Sequence, residues 1–151
     1  MVDNILIGKN DSETTAELKA AWGLPNVTHD NDFAAVIARG IQGWQGKNWD
    51  PEINDPSLDE YCGNITSDLI LYPETEQLKH TVETLLKQGG YESELDTLTI
   101  PALNWIGWLS NTTISSCQGS QDSCFSTHNA TFYAQDDISQ EWRAWPYQVR
   151  N

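Results

Sequence analysis

The sequence predicts a mainly α-helical chain, and three observations carry that expectation. Apolar residues recur at helical spacing, most clearly Leu78, Val82, Leu85 and Leu86 at i, i+4, i+7 and i+8. Capping residues precede such segments, and Gly or Pro follows them. Alternating strand patterns are nearly absent. Thr97 to Ile100 is the best strand candidate and is too short to carry a sheet.

The first helix is expected from about Ser12 to Trp22, with Ser12 as N-cap and Gly23-Leu24-Pro25 as its stop. A second runs from about Asp32 to Trp44, behind the cap candidates Asp30 and Asn31. Phe33, Val36, Ile37, Ile41 and Trp44 share one face of it, and Gly40 and Gly43 read as points of close packing. A loop follows from Gly46 to Asp55, with Pro-marked turns at Asp50-Pro51 and Asp55-Pro56, and then a short helix over Ser57 to Tyr61. The strongest helix spans Glu74 to Gln88. Glu74 and Glu76 suit its positive end and Lys87 its negative end, and Gly89-Gly90 supply a left-handed stop. Pro101 then opens a helix at its first position, reaching Leu109. Its Leu103, Trp105, Ile106, Trp108 and Leu109 are apolar on more than one side, the pattern of a helix buried or covered by another domain. The last candidate is Asp137 to Tyr147, with Ile138, Trp142 and Trp145.

Charge removes several function classes. The 151 residues hold 22 acids against 8 Lys and Arg, a net charge of −14. Binding to nucleic acid rests on neutralised phosphates, so none is expected as a partner. An anionic membrane surface is disfavoured for the same reason, and no apolar run nears the roughly 18 residues of a span. The seven Trp offer large burial and argue against disorder. Packing is the expected use of Trp22, Trp44 and Trp105, which fall on apolar helical faces.

The motifs point to the secretory pathway. Glycosylation sequons stand at Asn10, Asn26, Asn64, Asn111 and Asn129. With 11 Asn and 24 Ser plus Thr in the chain, about two would arise by chance, so five is an excess. Of three cysteines, Cys117 and Cys124 bracket the polar loop Gln118 to Ser123 and make the expected disulfide, which leaves Cys62 over. The N-terminus has an acid at Asp3, no basic region and only Ile5 to Ile7 as an apolar stretch, which is not a signal peptide. Together these read as an internal piece of a longer secreted precursor.

Catalytic signatures are sparse. There is no G-x-S-x-G elbow, no Gly-rich phosphate loop, and no C-x-x-C or H-x₃-H spacing for zinc, so neither a metal nor a cofactor is expected. His29 reads as a loop or capping residue, and His80 and His128 read as surface residues. Asp50, Glu52, Asp55, Asp59 and Glu60 lack the order of an EF-hand and read as a solvated acidic loop.

Several segments resemble fungal secreted serine peptidases of the family of lysosomal Pro-X carboxypeptidase, dipeptidyl peptidase II and thymus-specific serine protease. They are Asn48-Trp-Asp-Pro51, Asp59-Glu-Tyr-Cys-Gly-Asn-Ile-Thr66, Leu103-Asn-Trp-Ile-Gly107, Cys124-Phe-Ser-Thr-His-Asn129 and Tyr133-Ala-Gln-Asp-Asp-Ile-Ser-Gln140. Trp145-Pro-Tyr-Gln148 resembles the family motif W-x-Y-Q-x-C-T-E. The resemblance implies the helical cap inserted into an α/β-hydrolase, with the nucleophilic Ser encoded before it and the Asp and His after it. It implies residues 1–148 as a partial cap domain, with no catalytic residue of its own, and a parent secreted or sent to the vacuole or lysosome. The substrate implied for the parent is a proline-containing peptide, with Trp145 bordering the proline pocket. Val149-Arg150-Asn151 depart from the motif in the manner of a translated intron, and the Cys lost there is by arithmetic a partner for Cys62. On this reading a severed cap exposes apolar surface around Trp105, Trp108 and Trp145. The competing expectation is a small secreted helical binding module that uses its Trp residues for a glycan or a protein. Oligomeric state is not legible in the sequence.

Overall fold

A computed structural model of the chain describes residues 1–9 and 11–128. The helical expectation holds: seven α-helices, joined by short 3₁₀ turns, follow a π-helical turn over Asn4–Lys9, and no strand forms among the described residues. The helices are α1 (Ser12–Ala21), α2 (Asp30–Ile37), α3 (Arg39–Gln42), α4 (Ser57–Ile65), α5 (Lys79–Gln88), α6 (Leu95–Thr112) and α7 (Gln121–Phe125).

Helix α1 begins at Ser12, as expected, but its cap is one residue earlier. Asp11, not Ser12, is the N-cap, and its carboxylate accepts from the Glu13 and Thr14 N–H groups at 3.2 and 3.3 Å. The stop is the one anticipated. Gly23 takes φ +69°, and the Gly23 and Leu24 N–H groups donate back to Ala20 and Lys19 carbonyls.

The long second helix of the sequence reading is divided. Helix α2 ends at Ile37, the chain turns at Ala38, and α3 runs into a 3₁₀ turn over Gly43–Gly46. The redirection lets Gly40 pack beneath the Tyr61 ring of α4, where an added methyl group would overlap the ring. It also carries Ile41 and Trp44 off the shared apolar face, leaving them 58% and 71% exposed. Trp44 is therefore not a core residue. Helix α4 reaches Ile65, beyond the Tyr61 limit expected.

Helix α6 is the largest correction. It begins at Leu95, so the strand candidate Thr97 to Ile100 is helical and Pro101 lies inside the helix rather than at its first position. Proline removes one N–H, the donor that would reach the Thr97 carbonyl. Thr97, whose carbonyl loses that donor, is an exposed residue. Over 18 residues α6 is about 27 Å long and packs against both α4 and α5. Leu103, Ile106 and Leu109 of α6 meet Val82 and Leu85 of α5 in one core with Leu18, Trp22, Leu24, Phe33 and Val36. The Leu78-to-Leu86 stripe is divided too: Pro73–Leu78 forms a 3₁₀ turn ahead of α5.

Two polar contacts lock these helices. The Trp105 indole N–H donates to the Ile37 carbonyl at the end of α2 (3.2 Å), and its ring stands edge-on to Trp22. Asn104, fully buried, clamps the extended segment before Pro73. Its Nδ2 donates to the Leu69 carbonyl at 2.9 Å, and its Oδ1 accepts from the Leu71 N–H at 2.8 Å. Tyr72 then lies over Gly107, which has no room for a side chain. The candidate helix over Asp137 to Tyr147 lies outside the described residues.

Candidate interaction sites

Two surface regions gather chemistry-bearing side chains. The first sits at the start of α2, where α7 and the segment after it return. Lys19, buried on α1, binds Asp30 at 2.7 Å and donates to the Val27 and Thr28 carbonyls, which fixes the loop before α2. On the next turn Asp32 is fully buried. Its Oδ1 accepts from the Thr127 N–H and hydroxyl at 3.0 and 2.6 Å, while Oδ2 has no hydrogen-bond partner and lies 3.9 Å from His128 Nε2. Burial pushes the Asp32 carboxyl upward, but the Thr127 bonds, the nearby Ser126 hydroxyl and His128 outweigh it and hold the group below the ordinary carboxylate range.

His128 also stacks on His29, with ring centroids 3.7 Å apart, and its Nε2 faces the Asn31 side-chain oxygen Oδ1 at 3.3 Å. His29 stands at the α2 N-cap position but makes no cap hydrogen bond from its side chain. Asp122 of α7 accepts from the Thr28 hydroxyl and N–H, and those bonds lower its pKa. The imidazoles thus meet a carboxylate and an amide, an arrangement that fastens the segment after α7 to α2. Sequence reasoning placed His29 and His128 separately because 98 intervening residues hide their pairing. The HDND and STH stretches were the available signal. His80 is exposed, as the sequence suggested.

The second region is aromatic. Trp44, Lys47, Asn48 and Trp49 line an open cavity of about 440 Å³. Trp49 has the full exposure of an unpacked residue, 104%. Lys47 reaches away to Asp59 at 2.6 Å. Exposed large apolar side chains stand here, and at Ile7, Leu69 and Leu71 as well, whereas Trp105 and Trp108 are half-buried against Trp22 and Tyr61.

The sequence-predicted site residues fall elsewhere. Cys117 and Cys124 are joined, with sulfurs 2.06 Å apart, and Cys62 is an exposed free thiol. Asn26 and Asn111 are exposed. Asn64 is half-buried, its Nδ2 donating to the Glu60 carbonyl and its Oδ1 accepting from the Tyr72 hydroxyl. Asn10, Asn129 and Trp145 lie outside the described residues. No group of three or more side chains suited to a metal forms among the described residues, and no helix of theirs is long and apolar enough to cross a membrane.

No family model matches the chain, and no solved structure matches it. Among curated proteins it is similar to a probable extracellular serine carboxypeptidase of Arthroderma benhamiae, 42% identical over 154 aligned residues. The match takes in all of this chain but 21% of that relative, so the chain spans about a fifth of the relative's length.

Proposed function

We propose that this chain forms the helical region of a longer extracellular peptidase of the serine carboxypeptidase kind, where it lies over the catalytic cleft and limits which peptides enter. The observation that carries this reading is 42% identity through the whole chain to a fifth of a relative so named, by a segment whose described residues form helices and no strand. A helical lid excludes water and shapes access without supplying a reacting group. In the longer polypeptide a Ser would attack the peptide carbonyl, a His would act as base and then acid, and an Asp would orient the His. All three would come from segments outside this chain.

The resemblance to the Pro-X carboxypeptidase and dipeptidyl peptidase II family refines the proposal to proline-containing substrates. The flat indole of Trp145 is the residue we assign to the pyrrolidine ring, since an aromatic face suits that apolar ring. The parent is secreted or vacuolar, with a glycan best tolerated at the exposed Asn26, since the Asn111 Nδ2 donates to the Gly107 carbonyl and to Glu74. At the half-buried Asn64 a glycan would be carried on the Nδ2 that donates to the Glu60 carbonyl.

The test compares peptides bearing Pro or Ala before the C-terminal residue. The longer polypeptide is expected to prefer Pro, Trp145→Ala is expected to raise KM for the Pro peptide, and this chain alone is expected to cleave neither. Hydrolysis by the isolated chain, or equal use of Pro and Ala by the longer polypeptide, would defeat the proposal.

A further inference from the structure

We propose that the face bearing Trp44 and Trp49 docks a cationic polypeptide segment, with Arg or Lys side chains held against the two indoles. This surface stands independently of the peptidase reading. Elsewhere among the described residues Trp finds a ring to pack on: Trp22 on Trp105, Trp108 on Tyr61. Trp44 and Trp49 do not, at 71% and 104% exposure, and Ile41 and Ile53 beside them in the chain are exposed as well. Two exposed indoles lining one open cavity form an apolar patch of the kind that marks an interaction site.

Charge selects the occupant. From Trp44 to Glu60 the chain holds one cation, Lys47, against five carboxylates. Asp59 takes that cation. Asp50, Glu52, Asp55 and Glu60 are exposed and have no ion-pair partner among the described residues. Asp50 and Asp55 accept the N–H groups of Glu52 and Ser57, and the bond from Ser57 keeps Asp55 below its ordinary range.

A neutral apolar partner would strip water from these carboxylates with nothing in return. A second copy of this chain would bring two anionic faces together. A cation meets both features at once, the electron-rich indole face and the carboxylates beside it. Guanidinium suits the site better than ammonium, because its plane stacks on a ring while its edge forks onto a carboxylate.

The experiment titrates the full chain at low ionic strength with a Gly- and Ser-spaced arginine nonapeptide, using calorimetry and the indole N–H signals in NMR. A matched peptide carrying uncharged citrulline is the control. The arginine peptide is expected to bind, to weaken with salt, and to move the Trp44 and Trp49 signals, while citrulline binds at least about tenfold more weakly. Trp44→Ala and Trp49→Ala are each expected to weaken binding about three- to tenfold. The pair Asp50→Asn and Glu52→Gln should weaken it and flatten its salt dependence. These side chains are exposed, so the variants are expected to unfold as the natural chain does. Equal binding of the citrulline peptide, binding unchanged by both Trp substitutions, or stronger displacement of the same signals by a neutral glycan or by self-association would overturn the proposal.

Discussion

Asp32 shows how one residue couples burial, charge and chain return. Its carboxylate is fully buried beneath residues 126–128 and is kept ionised by the Thr127 bonds, with the Ser126 hydroxyl and His128 close by. A carboxyl whose folded pKa lies below its unfolded value adds stability that is complete above the unfolded value, near pH 4, and lost as pH falls through the folded one. Asp122 acts in the same direction. Asp32→Asn is therefore expected to cost about 1–3 kcal/mol at neutral pH and to flatten the melting-temperature profile below about pH 4. Thermal unfolding followed by circular dichroism across pH 2–7 checks this; an acid limb identical to that of the natural chain would count against it. The sequence offered an acid near a helix start at this position. Burial and the return of Thr127 across 95 residues are tertiary facts.

At the scale of the element, α6 organises the molecule, and the sequence disclosed its apolar half better than its beginning. Leu103, Ile106 and Leu109 were legible as buried because their spacing matches a helical turn. Pro101 misled. Proline favours a first position when nothing opposes it, but here packing on α4 and α5 outweighs one missing hydrogen bond. Asn104 drew no notice in the sequence outside the resembling segment, since polar residues within helices usually face water. In the structure it joins α6 to the Leu69–Leu71 segment through two bonds. Asn104→Ala leaves the Leu69 carbonyl and Leu71 N–H without their protein partner, and is expected to cost about 2–3 kcal/mol. Urea unfolding should report that loss, and hydrogen exchange should report deprotection of the Leu71 amide in particular. Full protection at Leu71 would mean the clamp is not what holds the segment.

For the whole molecule, closure depends on α7 being brought back to the α1–α2 corner. The Cys117–Cys124 bridge shapes the turn before α7. Gln121 then donates to the Gly23 carbonyl and accepts from the Asn26 N–H, and Asp122 receives Thr28. Chain-entropy arguments assign a loop of this length about 2–3 kcal/mol, so Cys117→Ser with Cys124→Ser should lower stability by that amount. It should also speed amide exchange at residues 23–28, far from the bridge in sequence; unchanged exchange there would separate the disulfide from the corner. By itself the sequence determined the helical class, the apolar Val82, Leu85 and Leu86 of α5, the Gly23 stop and the acidic surface, because each follows from local spacing, backbone freedom or composition. The tertiary structure alone decided that α2 breaks at Ala38, that Trp44 faces water while Trp105 is packed, and that His29 meets His128. The physical reason is shared: local pattern sets what a segment can bury, whereas a close approach such as Gly40 beneath Tyr61 sets which way the chain must turn to bury it.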